Sequence, residues 1–292
     1  MRFLAVPAFV LALALGARAE EKVEIRPGVK KGFKITSTLK FKGDGTLKGA
    51  GQDVAIALSV EQVSAEEVLE AEDGRPTKVR RMFHESTETF EIPAAGQADS
   101  TSSSLVGHVL LIEIKDGKIA RSLESGVAAV DQEQLAEQGV GIELDDAIAS
   151  GKPVGPGDEW EGDAEKVAAW LELDLFKDAT TASAKLKLEK FETKYGERCA
   201  RLAIVLKGKG TAKMEGGGTG DLSTTMEGTV WFGTESGRIV RMTATQKLKL
   251  EWQDRGPDGK PAKVAMRVEG KVTGRSKIGV AEFEPQDKGG GK

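Results

Sequence analysis

A mainly β protein with a minor helical part (α+β) is what the sequence predicts, built as long, curved antiparallel sheet in two related halves with a short helical insert between them. Three observations lead there. Apolar and polar residues alternate with period two over most of the chain. The alternating runs are separated by Gly-containing dipeptides that favour tight turns. One central stretch, 127–150, changes to a spacing near 3.6.

The alternation begins with "FKITSTLKF" (33–41), which puts Phe33, Ile35, Ser37, Leu39 and Phe41 on one face. "DVAIALSVEQV" (53–63) and "EEVLEAE" follow, then a turn at Asp73-Gly74 and a strand over 77–92. The polar segment 93–104 reads as a loop. Residues 105–123 form two strands joined at Asp116-Gly117, where glycine accepts the positive φ of a primed turn. Over 127–150 the spacing predicts two short helices, with Asp131 as an N-cap, Gly139 as an interruption and Gly151 as the end. "GKPVGPGDEW" (151–160) is then a boundary, since Pro153 stops the helix and Gly157-Asp158 turns the chain. Trp160 is expected in the core of the second half. A short helix over 163–170 follows, with strand alternation resuming at 171–176. The second half repeats the β pattern in 183–194, 198–210, 223–233, 238–253 and 262–278, with turns at Tyr195-Gly196 and Ser236-Gly237.

The halves echo each other. "GHVLLIEIKDGKIAR" (107–121) aligns with "GTVWFGTESGRIVR" (228–241), and "PGVKKGF" (27–33) is similar to "PVGPGDEW" (153–160), at offsets of about 120 to 125 residues. The expected organisation is a signal peptide over 1–19, a first β half over 20–126, a helical insert over 127–152, a second β half over 153–284 and a disordered tail over 285–292. Residues 1–19 carry Arg2, an apolar run from Leu4 to Leu15 and an Ala17-Arg18-Ala19 cleavage pattern, which predicts export to the periplasm or outside the cell. The apolar run is shorter than the ~20 residues a bilayer core needs, so no transmembrane anchor is expected after cleavage.

Composition narrows the chemistry. The net charge is −4 over 292 residues with both signs interspersed, which does not suggest a nucleic-acid partner. Cys199 is the only cysteine, lies in an apolar run, and is expected to be a buried inert thiol. The two histidines, His84 and His108, fall in strand patterns and serve no Gly-x-Ser-x-Gly elbow. "ELDDA" (143–147) is the densest oxygen cluster for calcium but lacks the order of ligands of an EF-hand, and a solvated helix face is the better reading. Trp160, Trp170, Trp231 and Trp252 could line a sugar groove, although Trp231 in "VWF" reads as core. "GKPVGPGDEW" lacks the Gly-Lys-Ser/Thr ending of a phosphate loop, and its prolines remove amide donors. No catalytic, cofactor-binding or metal-binding residue is therefore assigned, and no cofactor is expected.

Taken together, the leader, the first "V-x-x-G-F-K-I-T" strand at Val29–Thr36, the helical insert, "KPVGPGDEW" and hairpins ending in Gly-basic-Ile resemble an uncharacterised (domain-of-unknown-function) family of exported bacterial β-rich proteins. In architecture, long curved sheets with a helical cover resemble envelope proteins that shuttle lipids or lipoproteins. The resulting expectation is an exported non-enzymatic protein that binds an apolar ligand or an envelope partner on a curved sheet. A structural or interaction module without a pocket is the alternative, and a hydrolase using carboxylates comes third.

Overall fold

The computed structural model describes residues 21–49, 52–126, 129–141, 143–174, 178–213, 219–255 and 261–283. The leader and the tail predicted at the two ends lie outside the described residues. Strands β1 (Val23–Glu24), β2 (Lys34–Gly49), β3 (Gln52–Glu72), β4 (Arg75–Ile92), β5 (Gln97–Ser102), β6 (Val109–Lys115) and β7 (Lys118–Ser125) come first. Helices α1 (Gln132–Ala136) and α2 (Glu143–Ala147) follow, then β8 (Pro153–Val154), β9 (Glu159–Glu161) and helix α3 (Ala164–Asp174). Five strands complete the chain: β10 (Asp178–Lys194), β11 (Glu197–Lys213), β12 (Thr219–Gly233), β13 (Arg238–Arg255) and β14 (Pro261–Ile278).

Twelve of the strands form one antiparallel sheet in the order β7-β6-β4-β3-β2-β14-β13-β12-β11-β10-β9, with β5 paired beside β6 on β4. Two meanders are thus fused at a single seam, where β14 pairs with β2 from Ile278↔Ile35 to Ala265↔Lys48. The strands are unusually long: β3 has 21 residues, about 70 Å at ~3.4 Å per residue. Such strands cannot stay flat, because each carries the right-handed twist of L-residues. Glycine sharpens the bend at the seam. Gly43 and Gly270 face each other directly, and a Cβ on Gly270 would come within 2.6 Å of the Gly43 Cα. The side chains of Phe41 and Val268 close over this gap.

The concave face carries two cores. Under the β10–β14 arm, Leu186, Leu188, Leu202, Ile204, Leu206, Met226, Val230 and Phe232 pack against Ile148 beyond α2 and Val167 and Leu171 of α3. Under the β3–β6 arm, Val68, Val79, Phe83, Leu110 and Ile112 pack against Leu135 of α1, Val140 and Val29. The helical insert therefore lies inside the curve and fills both arms. α1 begins as the sequence predicts: the Asp131 carboxylate accepts from Glu133 N–H at 2.8 Å, a cap worth about 1 kcal/mol.

The N-terminal segment ties the arms at one end. β1 pairs with β8, and Ile25 N–H donates to Ser150 Oγ at 3.0 Å. Val29 N–H then donates to Gly74 O in the β3–β4 turn at 3.0 Å. Gly28 packs against the Gly237 Cα in the β12–β13 turn, where any side chain on Gly237 would strike the Gly28 backbone.

Three local expectations are corrected. Segment 93–104 is not all loop: after a 3-10 turn at Pro93–Ala95, residues 97–102 form β5, a fully exposed edge strand on β4. The stretch from 171 does not return to strand at once, because α3 continues to Asp174 and buries Leu171 one turn after Val167. Trp231 is not core. Its neighbours Val230 and Phe232 point inward, and strand alternation sends the indole to the convex face.

Candidate functional site

The concave face is apolar at both ends but not in its middle. On the β3–β4 pair, the inward row from the covered end reads Val68/Val79, Glu66/Arg81, Ser64/Phe83, Gln62/Ser86, Val60/Glu88 and Leu58/Phe90. Glu66 and Arg81 are buried in this row, paired with each other, and a further partner, Arg238, arrives from β13. Arg81 donates from Nε (3.1 Å) and Nη2 (2.5 Å) to Glu66 Oε2. Arg238, at the start of β13, lies 3.6 Å from Glu66 Oε1 through Nη1. Its Nε lies 2.8 Å from Asp145 Oδ2, and its Nη2 donates to Gly141 O at 2.7 Å. Asp145 also accepts from Ile239 N–H at 2.7 Å.

The result is a ladder of alternating charge, Arg81–Glu66–Arg238–Asp145, neutral as a unit and running from one arm to the other through the helical insert. β3 and β13 are separated in the sheet by β2 and β14, roughly 14 Å along three strand spacings. Their side chains meet across the face that the helical insert fills. Gly141 is required here as well. It has φ +83°, and a Cβ would collide with Arg81 Nη2 and come 2.8 Å from Glu66 Oε2.

Beside the ladder lies a cavity of about 490 Å³ between the sheet, α1 and α3. Its walls are polar: Ser37, Gln62, Ser64, Ser86 and Gln138 surround the space, with Trp170 from α3 at one side and Glu88 and Glu137 also lining it. Gln134 is already committed, since its Oε1 accepts from Ser103 Oγ (2.9 Å), Ser104 N–H (2.9 Å) and Ser104 Oγ (3.0 Å). Beyond Gln62 and Ser86 the same face continues into Val60, Leu58 and Phe90, all half-buried. The cavity is thus polar, and the sheet row that lines it runs on, past Glu88 opposite Val60, into these apolar residues.

The residues singled out from the sequence are scattered relative to this groove. Cys199 is buried, and burial pushes its thiol up to about 11, which leaves it a neutral, unreactive group. His108 is buried with its ring against Gly126, and His84 lies in β4; neither Nδ1 has a hydrogen-bond partner among the described residues. "ELDDA" is not a solvated helix face. Asp145 belongs to the ladder, and Asp146 pairs with Arg75 (2.9 Å) and Lys166 (3.8 Å). Among the described residues no cluster of three His, Cys, Asp or Glu side chains is arranged to hold a metal ion.

"GKPVGPGDEW" is built as a boundary. Asp158 closes its turn by accepting from Gly155 N–H at 2.9 Å, and Gly157 N–H donates to Leu188 O at 2.7 Å. Trp160 packs on the β10–β14 core as expected, with Nε1 donating to Ile148 O at 3.1 Å. On the convex face, Trp231 donates to Glu192 at 2.8 Å. That bond, with Lys190 beside it, brings the Glu192 carboxyl down to about 2. Sequence reading missed Glu66, Arg81 and Arg238 as interior residues, although each occupies an inward position.

Neither a protein-family model nor a curated protein matches the sequence. Among solved structures, the chain is similar to a lipovitellin described for its lipid–protein interactions, at TM-score 0.41 and 7% identity, covering 90% of this chain and 27% of that one. It therefore spans about a quarter of the lipovitellin chain. It is also similar to DynF from the dynemicin biosynthesis pathway of Micromonospora chersina, at TM-score 0.23 and 10% identity, covering 93% and 92% of the two chains. A DUF1329 family protein from Desulfovibrio piger follows at TM-score 0.14 and 8% identity, covering 86% and 88%. No helix among the described residues is long and apolar enough to cross a membrane.

Proposed function

We propose that this is an exported, non-enzymatic binding protein whose concave face holds an amphiphile, with the polar head in the cavity under α1 and the apolar part along Val60, Leu58 and Phe90. One observation carries the reading: a polar cavity of about 490 Å³ is lined by the same inward row of β3 and β4 that continues into half-buried Val60, Leu58 and Phe90. That volume falls in the range of small-molecule sites, ~300–1,000 Å³. The lining also suggests the kind of head group. The ladder neutralises its own charges, while Glu88 and Glu137 add negative potential to the cavity wall. A hydroxylated or zwitterionic head fits this lining better than a carboxylate, which would meet like charge in a partly desolvated site. Organic extraction of the purified protein, followed by mass spectrometry, is expected to release such an amphiphile in near one-to-one amount. An empty extract from protein that also fails to take up added amphiphile would overturn the proposal.

A further inference from the structure

The convex face concentrates positive charge that the sequence, read linearly, disperses. Strand alternation sends Arg241, Lys247 and Lys249 of β13, Arg267, Lys271 and Arg275 of β14 and Lys40 and Lys42 of β2 outward together, and pairing stacks them across the seam. Lys271 lies directly opposite Lys42, while Arg267 opposes Lys249 and Arg275 opposes Arg241. Like charges directly opposite each other are destabilising. Among the described residues Lys42, Lys271, Arg267 and Arg275 have no carboxylate at ion-pair distance. A protein of net charge −4 has thus gathered an excess of cations along the crest of its sheet, interrupted by Glu269 opposite Asp44.

Two further features lie on this crest. Near one end is a depression of about 510 Å³ where the hydroxyls of Thr46, Ser223 and Thr225 sit beside Lys247, Lys249 and Arg267, with Asp44 and Glu269 also in its wall. Lys247 pairs with Glu269 (3.7 Å) and Lys249 with Glu251 (2.9 Å), which leaves Arg267 as its uncompensated cation. Towards the other end are two aromatic rings, Tyr195 and Trp231, edge to face at 6.0 Å. Cations approach both rings: Arg241 lies 5.7 Å from the Tyr195 centroid and Arg201 lies 5.8 Å from that of Trp231. From Arg267 to Arg275 the row runs about 27 Å at ~3.4 Å per residue.

We propose that this face is a docking surface for a linear acidic polysaccharide. Charge complementarity calls for a polyanion. The curvature favours a flexible chain, since a flat bilayer would touch the crest alone. Hydroxyls among the cations, and the exposed Tyr195 ring beside half-buried Trp231 at one end, match a polymer that carries carboxylates, hydroxyls and apolar sugar faces together. The surface is on the opposite side of the sheet from the amphiphile groove and does not depend on it.

The test compares binding of the full protein to polygalacturonate, dextran, single-stranded DNA and vesicles of phosphatidylglycerol with phosphatidylcholine. Polygalacturonate is expected to bind and dextran not, with affinity falling as salt is raised. The Lys42→Gln, Arg267→Gln, Lys271→Gln triple variant is expected to lose about tenfold or more, which is ~1.4 kcal/mol, without a lower melting temperature, because it removes repulsion. Should the variant fold poorly, reductive ¹³C-methylation of the unmutated protein gives a second readout. Polygalacturonate should shift the signals of Lys42, Lys249 and Lys271 and leave Lys118 on β7 unmoved. Tighter binding of the vesicles or the DNA, equal binding of dextran, or shifts away from the crest would overturn the proposal.

Discussion

Replacing Arg238 with alanine should unfold the interior from the middle, and its cost can be worked from the structure. Arg238 lies within 2.8 Å of Asp145 and 3.6 Å of Glu66, and it donates to Gly141 O at 2.7 Å. The substitution removes the guanidinium beside buried Asp145, which keeps the Ile239 N–H, and leaves Glu66 with Arg81. Removing one member of a buried pair costs about 3–5 kcal/mol, chiefly because the remaining charge stays desolvated. Against a typical stability of about 5–15 kcal/mol that is a large fraction. At roughly 2–4 °C per kcal/mol for a chain of this size, the melting temperature should fall by about 10 °C. Urea unfolding followed by tryptophan fluorescence measures the change directly. The reasoning also predicts coupling: Arg238→Met with Asp145→Leu should be less damaging than the sum of the two single changes. A loss below about 1 kcal/mol for Arg238→Ala, or strict additivity in the pair, would refute the claim that this ladder ties the two arms.

Three smaller tests follow from other parts of the fold. Gly141→Ala should destabilise by about 1–3 kcal/mol, from a strained positive φ and the collision with Arg81, seen as a lower urea midpoint. The Glu192 carboxyl, held at about 2 by Trp231 and Lys190, contributes stability that is fully present above the usual carboxylate value near 4.5. That contribution is lost as pH falls from there towards 2, so the Trp231 indole N–H resonance should stay put at pH 5 and move only in acid. Cys199, raised to about 11 by burial, should resist an aromatic disulfide reagent at pH 8 in the native state and react only after denaturation.

Much of the sheet was legible because period-two alternation and X-Gly turns are local signals. Asp73-Gly74, Asp116-Gly117 and Tyr195-Gly196 all adopt positive φ at both positions and close hairpins where the sequence placed them. β5 was hidden because "QADSTS" buries nothing: a fully exposed edge strand has no apolar face to announce it. α3 was cut short because Leu171 and Leu173 in "LELD" also satisfy a strand period, while the deciding contact, Leu171 against the β10–β14 core, is tertiary. The site was less legible than the fold. Glu66 sits between Ser64 and Val68, and Arg81 between Val79 and Phe83, in the phase of the core. A charge in that phase is the signal that could have marked them, and the Asp73-Gly74 hairpin sets Glu66 opposite Arg81. The rest of the ladder, Arg238 and Asp145, lies far away in sequence, and no local rule connects it. The crest of the convex face was invisible for the same reason, since its like-charged neighbours come from different strands.

Calorimetric titration with a zwitterionic single-chain phospholipid below its micelle concentration tests the central claim most directly. Saturable one-to-one binding is predicted, weakened about tenfold or more, ~1.4 kcal/mol, by Leu58→Asp with Phe90→Asp, and quenching or shifting the emission of Trp170, which lines the cavity. Absence of saturable binding, or binding indifferent to both substitutions, would contradict it.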